Sequence, residues 1–533
     1  MRPEPATSGQ AAPWWTLTAV SAAVFMVMLD LTVVNVALPE IRNSLGTDFS
    51  AMQWVIDAYA LTLAAFLLTA GSLADSWGRR RVFAAGFAVF TLASLACGMA
   101  DDILTLNLAR AAQGAGAAVL YAVGPALIGH EFRGRARGMA FGVFGGVSGV
   151  AIALGPVIGG ALTSGPGWRW IFLVNIPVGL AGILVAALRM RESRAVRAHG
   201  ADWPGLVSFS GALGLLVLAL LRGNEEGWTS ATILLLLTAS VALLAVFVAV
   251  ERARGPRAML DLRLFANRTF LGIGLVALVA NVAAIPAVFF EISAVQNLLH
   301  FSPWETGVRF LPLTLTLFVF SALAGALTGR LPMRVLVFVA AAFISGGLAL
   351  VVLADEHTAW TVLIPSMVVG GIGLGMFQPL RAATSIGVVA PERSGMASGV
   401  NETFQQVGVV IGIAALGALF ESRITSALAT DPRAAGLDPA TGGDLVAAGR
   451  IDTVGSAGPE ALAAARAAFV SGFHQTMLVC AALAAVAAVL GLLLIRTRDF
   501  HSSALSMIPP EVGTATDEDP AARPGELVRR GSR

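Results

Sequence analysis

Five polar residues stand inside otherwise apolar stretches and could carry a proton, a charge or a hydrogen bond: Asp30, Asp57, Arg110, Gln113 and Glu402. An ionised side chain in hydrocarbon costs roughly 2.5–3.5 kcal/mol even on the lenient insertion scale, so each needs a compensating role. A guanidinium beside a carboxylate keeps the proton off it, and the proton returns when the pair opens, so pairing links protonation to conformation. That is the chemistry of a proton-coupled carrier. The same residues also admit a structural reading, in which Asp30 and Arg110 form a buried ion pair that holds helices in place. Asp57 reads as a second acid of a cation site or as a headgroup-level residue without a role. Glu402 reads as a group for inward proton release or as a helix-start acid favoured by the N-terminal dipole. Gln113, one turn from Arg110 on the same face, is placed to donate a hydrogen bond to a substrate or an acid.

The composition says what must position these groups. With 56% hydrophobic residues, 13% charged residues and a mean hydropathy of +0.78, the chain is too apolar for a soluble domain, where charged residues make up about 25%. The solvent is lipid. All 35 basic residues are arginine, which with the abundant Ala and Gly suggests a GC-rich bacterial genome. The net charge of +2 selects no partner, and nothing points to nucleic acid. Cys97 and Cys480, far apart in apolar segments, offer neither a disulfide framework nor a thiolate metal site. The lack of Lys excludes a P-loop and hence ATP hydrolysis within the chain. No nucleophile constellation or metal-ligand spacing is present, so the chain reads as a non-enzyme that needs no cofactor and draws on a proton gradient.

A helix rises about 1.5 Å per residue and the hydrocarbon core is about 30 Å thick, so spans of roughly 20 apolar residues are the unit to count. Fourteen are predicted, from 15–38 to 467–495. Sorting the short loops by side places nineteen arginines on one side. They include Arg79, Arg80 and Arg81 after the second span and Arg381 and Arg393 after the twelfth. The other side has four, so the arginine-rich side is expected to be cytoplasmic, together with both termini. On that topology Asp30 lies about 12 Å from the outer boundary, and Asp57 and Arg110 lie about 9 Å from it, at one level. Glu402 lies about 10 Å from the inner boundary.

The two ends of the chain repeat. Gly138-Met139-Ala140-x-Gly142-Val143 returns as Gly395-Met396-Ala397-x-Gly399-Val400, and Gly71-x-Leu73 with Arg80 returns as Gly325-x-Leu327 with Arg334. Gly114-x-Gly116 likewise matches Gly371-x-Gly373, and Gly155 matches Gly412. Two related six-helix halves, with two helices inserted between them, account for the series. The expected organisation is a cytoplasmic tail at 1–14, an N-terminal bundle at 15–190 and two inserted helices at 203–250. A C-terminal bundle at 265–498 then contains an extracellular loop at 421–466 that gets no role, and a disordered cytoplasmic tail follows at 499–533.

The segment Gly71-Ser-Leu-Ala-Asp75-Ser-Trp-Gly78-Arg79-Arg80-Arg81 resembles the signature loop of the major facilitator superfamily. Its glycines let helices approach closely. Asp75 is placed to cap the next helix or to pair with a guanidinium, giving a latch of Gly71, Asp75, Gly78, Arg79 and Arg80, against the plainer reading of an arginine topology anchor. Three further segments resemble the fourteen-helix drug:proton antiporters of that superfamily, the EmrB/QacA-like branch. These are Leu29-Asp30-x-Thr32-x-x-Asn35, Leu108-x-Arg110-x-x-Gln113-Gly114-x-Gly116, and the antiporter motif Gly155-Pro156-x-x-Gly159-Gly160. Trp168-Arg-Trp-Ile-Phe172-x-x-Asn175-x-Pro177 is also similar to that branch. Ala151 stands where the antiporter motif commonly has a further Gly, a small-for-small change.

The resemblance implies an all-α polytopic major facilitator fold of fourteen helices in a bacterial plasma membrane. It also implies proton-coupled efflux of a small amphipathic drug or antibiotic. Embedded acids favour a cationic substrate, with an uncharged or anionic one left open. In this reading Gly155, Pro156, Gly159 and Gly160 pack against the other half and seal it against leak. The rival readings are a proton-coupled uptake symporter, disfavoured by Gly155-Pro156, and a non-transporting membrane sensor or enzyme.

Overall fold

The computed structural model describes residues 12–47, 49–132, 134–193, 202–255, 258–328, 330–354, 359–390, 393–434, 438–455 and 458–500. The expected tails at 1–14 and 499–533 lie outside these residues, except at 12–14 and 499–500. Among the described residues the chain is helical throughout, with one isolated bridge between Thr328 and Leu331. Backbone polar groups in lipid must be satisfied within their own segment, so apolar sequence of this length becomes helix.

The first half contains α1 (Ala12–Leu45), α2 (Phe49–Trp77), α3 (Arg79–Gly98), α4 (Ile103–Glu131), α5 (Gly134–Ser164), α6 (Trp170–Leu173) and α7 (Asn175–Arg189). Then come α8 (Trp203–Glu226) and α9 (Ala231–Arg254). The second half contains α10 (Arg268–Asn297), α11 (Pro303–Arg309), α12 (Leu311–Leu327), α13 (Met333–Leu350), α14 (Ile364–Gly387), α15 (Ser394–Thr430), α16 (Pro439–Ala447), α17 (Ile451–Gly455) and α18 (Pro459–Leu494).

Twelve of these helical stretches are long and apolar enough to cross a membrane, or thirteen if the two parts of α5, bent by 44°, count as one span. The bend falls between Ile152 and Val157, around Gly155-Pro156, where proline cannot donate the helical hydrogen bond. A further apolar helix, α12, has only 17 residues. The apolar stretch 306–328 is divided at Phe310 because Pro312 lacks the N–H that would continue α11.

The segment 421–466, expected as an extracellular loop, is largely helical among the described residues. α15 runs on to Thr430, α16 and α17 follow, and α18 begins at Pro459. Its Ala-rich sequence favours helix, and Asp438 caps α16 by accepting from the Thr441 N–H at 3.0 Å.

The two largest clusters of buried apolar side chains separate along the chain. One spans Leu17 to Met190 and includes Ala382 and Ile386; the other runs from Ile273 to Ile495. Between them α8 packs on α9 and against α2, with the Thr69 and Ser210 hydroxyls 3.0 Å apart.

The repeat seen in the sequence reappears as a pair of exchanged contacts. Gly71 of α2 lies on the backbone of Gly395 and Gly399 in α15, and Gly325 of α12 lies on the backbone of Gly138 in α5. The Ser321 hydroxyl of α12 donates to the Gly142 carbonyl at 2.7 Å. A Cβ at Gly71, Gly138 or Gly325 would overlap the opposing main chain, so only glycine allows these helices to touch. All of these contacts sit toward the arginine-rich end of the helices.

Gly155 and Gly159 do not serve this seam. They face Thr32, Val33 and Val36 of α1, within the same half. Against the other half, α5 sets the stripe Gly138, Gly142, Gly146 and Gly149 on α12 at helical spacing, and it also packs on α11 and α14.

Candidate functional site

Residues from six helices converge around Asp30. It lies on α1, midway along an apolar helix, and is 1% exposed, as is Arg110 of α4. Arg110 Nη1 meets Asp30 Oδ2 at 2.5 Å, donates to Gln113 Oε1 at 2.6 Å, and Nε donates to the Val55 carbonyl of α2 at 2.8 Å. Gln113 Nε2 donates to Asp30 Oδ1 at 3.0 Å and to the Ser94 hydroxyl of α3 at 2.8 Å, so the amide bridges acid and neighbour. The Cys97 thiol approaches Gln113 Oε1 at 3.7 Å. The guanidinium stacks over the Tyr59 ring at 4.2 Å, with Phe172 at 5.7 Å and Asn175 beside the acid. An ion pair this deep persists only if nearly every remaining donor and acceptor is occupied, and these contacts do that.

Arg110 and Gln113 share a face because they are three residues apart on one helix. Asp57 is different. It is buried on α2, yet it lies two residues from both Val55 and Tyr59, and the helical screw turns it to another face. None of the hydrogen bonds of Asp30, Arg110 and Gln113 reaches it.

Glu402 belongs to a second centre, near the arginine-rich end of the other half. Arg381 Nη2 donates to both its oxygens, at 3.0 and 3.2 Å, and Arg381 Nε and Nη2 donate to Gln378 Oε1 at 3.2 and 3.0 Å. Arg381 was expected in a loop. Instead α14 continues to Gly387 and carries it inside, with 0% exposure, so it drops out of the loop arginines. One turn along from Glu402, Gln405 Nε2 donates across the seam to the Tyr121 hydroxyl of α4 at 3.0 Å.

Asp75 neither stands alone nor caps the next helix, α3, whose N-cap Gly78 makes no side-chain cap. It pairs with Arg79 at 2.7 Å and accepts the N–H of Gly395 at 3.2 Å and of Met396 at 2.8 Å, thereby capping α15 of the opposite half. Gly78 has φ +106°, which only glycine adopts without strain, and it turns the chain beside the Glu192 carboxylate. That carboxylate accepts from the Arg80 N–H at 3.1 Å.

The sequence reading missed Ser94, Cys97, Tyr59, Tyr121 and Arg381 as members of these centres. For Arg381 the signal was present: Gly371-x-Gly373 marks a tightly packed helix whose regular continuation reaches it. The others carry no local signal.

The profile of the Major Facilitator Superfamily matches residues 20–413. The chain is 34% identical over 425 residues to Multidrug resistance protein Stp of Mycobacterium tuberculosis, covering 78% of this chain and 77% of that one. It is 39% identical over 408 residues to Puromycin resistance protein pur8 of Streptomyces alboniger, covering 76% and 81%. It is 33% identical over 432 residues to the Tetracenomycin C resistance and export protein of Streptomyces glaucescens, covering 79% and 78%. Among solved structures, a proton:xylose symporter superposes with a TM-score of 0.62 at 12% identity, covering 93% of this chain and 99% of that one. The human organic anion transporter TETRAN gives 0.56 at 14%, covering 89% and 100%. At such identities the structures speak for the fold alone.

Proposed function

The chain belongs to the major facilitator superfamily and is a membrane transporter related to drug and antibiotic resistance efflux proteins, and from that premise we propose that it is a fourteen-helix drug:proton antiporter. It exports a small amphipathic antibiotic-like compound across a bacterial plasma membrane, with both termini in the cytoplasm. The twelve spans, taken with bent α5 and the short α12, support a count of fourteen crossings. Residues 15–190 and 265–498 form the two rocking bundles, and 203–250 form the inserted pair.

The observation that carries this reading is the Asp30–Arg110 pair, sealed inside one bundle with Gln113 bridging it. While the pair is closed, Arg110 and Gln113 occupy both carboxylate oxygens of Asp30. When the helices shift and the pair opens, the isolated carboxylate takes a proton from outside, and on return Arg110 expels it. Asp75, by capping α15 across the seam, holds the arginine-rich end shut and lets the opposite end open. Glu402 and Arg381 form a second charged centre nearer the inner face, and Asp57 stands near the outer end. The names of the relatives, resistance and export proteins, support efflux over uptake.

The test is transport in everted membrane vesicles with puromycin and tetracenomycin C as probes. Energised vesicles are expected to accumulate at least one of them, and its addition is expected to release protons from the lumen, read with an acridine dye. Extrusion on energisation would establish uptake in the cell, and substrate flux without proton movement would remove the coupling.

A further inference from the structure

Along α15, on the face turned toward α14 and α4, several buried polar atoms have no hydrogen-bond partner among the described residues. They are the Ser398 hydroxyl, both amide atoms of Asn401, the Gln405 carbonyl oxygen and, opposite them on α14, Nη1 of Arg381. Ser398, Asn401 and Gln405 recur at helical spacing and form one stripe beside Glu402. A buried polar group without a partner has given up water and gained nothing, so such groups are normally few and need a reason. Here they line the seam between the halves. Gln405 reaches Tyr121 across it, and Gly399, next to Ser398, packs against Leu67 and Leu68 of α2.

The seam is closed at this end. When the halves part here, the stripe becomes the wall of the inward-facing cleft and its unsatisfied groups meet whatever enters. What they offer defines the guest. Glu402 is already neutralised by Arg381, so the pair carries no net charge. Free N–H and O–H donors come from Arg381, Asn401 and Ser398, and free carbonyl acceptors come from Asn401 and Gln405. Farther out, Arg137 also has Nε and Nη2 without partners, and it lies across Gly129 from Ile386 of α14. The free guanidinium donors at both places favour oxygen acceptors in the guest.

We propose that Ser398, Asn401 and Gln405, with Arg381, form the loading site of the inward-open state and take an uncharged aromatic compound bearing carbonyl and phenolic oxygens. Tyr121, released from Gln405, supplies a ring and a hydroxyl for the same guest. The inference rests on the export reading for the direction of loading, but the site itself is tested by binding.

The experiment uses the full-length purified protein and two probes: emodin, an uncharged hydroxyanthraquinone, and tetraphenylphosphonium, a cation without oxygen. Asn401→Leu is expected to weaken emodin binding about tenfold or more, the scale of lost hydrogen bonds to a buried site, while tetraphenylphosphonium binding stays within about twofold. In the absence of either probe the same variant is expected to raise Tm, because an apolar side chain replaces an unsatisfied amide. Ser398→Ala should move both readouts in the same directions by less. A lowered Tm in both variants, emodin binding unchanged in both, or no emodin binding by the wild type would each overturn the proposal. Emodin binding lost in Asn401→Leu, in a protein that pumps nothing, would leave the site standing and remove export. Binding intact in the variant of a pumping protein would remove the site and leave export.

Discussion

The carboxylate of Asp75, near the end of α2, accepts the backbone N–H of Met396 at 2.8 Å, joining two helices whose contacting residues are 321 positions apart. The same carboxylate holds Arg79, which is 2% exposed. One side chain therefore caps a helix of the opposite half and neutralises a buried cation of its own.

Replacing Asp75 by Ala removes both contacts, and stranding one partner of a buried pair costs about 3–5 kcal/mol. The seam at the arginine-rich end is expected to open. Spin labels at Ser76 and Arg393 would show a longer distance distribution than in the wild type, and transport is expected to fall about tenfold or more. An unchanged distance distribution would mean that the cap does not hold the seam.

The glycine contacts make a separate claim. Gly325→Ala places a methyl group on the Gly138 main chain, whereas Gly417→Ala, on the outer part of α15, meets open space. The first is expected to abolish turnover in vesicles at normal expression. The second is expected to leave turnover intact and to add slightly to stability, by up to about 1 kcal/mol from helix propensity. Equal activity in the two variants would contradict the exchanged-contact seam.

Proton coupling is separable from binding at Asp30. Asp30→Asn keeps the size and most hydrogen bonds of the side chain but cannot exchange a proton, so gradient-driven accumulation is expected to drop about a hundredfold, while probe binding and counterflow persist. Arg110→Lys retains charge yet cannot reach Asp30, Gln113 and the Val55 carbonyl together, and it should also uncouple transport. Undiminished pumping in both variants would show that the pair is structural.

Glu402→Gln strands the guanidinium of Arg381, which is fully buried. The variant is expected to lose about 3–5 kcal/mol of stability, and the double change with Arg381→Gln should recover most of it. Thermal unfolding of the two singles and the double measures this coupling. Additive losses would show that the pair contributes nothing as a pair.

Much of this was legible in the amino-acid order. Continuous apolar runs long enough to cross lipid as helix placed the segments by hydropathy alone, and the glycine repeats at Gly138 and Gly395 announced two related halves. Asp30, Arg110 and Gln113 drew attention because charge in hydrocarbon is costly anywhere along the chain. Such arguments need only local sequence.

Partnership was not local. That Asp75 caps α15 rather than α3, that Gly155 faces α1 rather than the other half, and that Arg381 lies inside rather than in a loop depend on how each helix is rotated and where it ends. Helix rotation is set by packing across 80 residues for Asp30 and Arg110 and across 284 for Tyr121 and Gln405. Periodicity along one helix tells which residues share a face; only the folded bundle decides what that face meets.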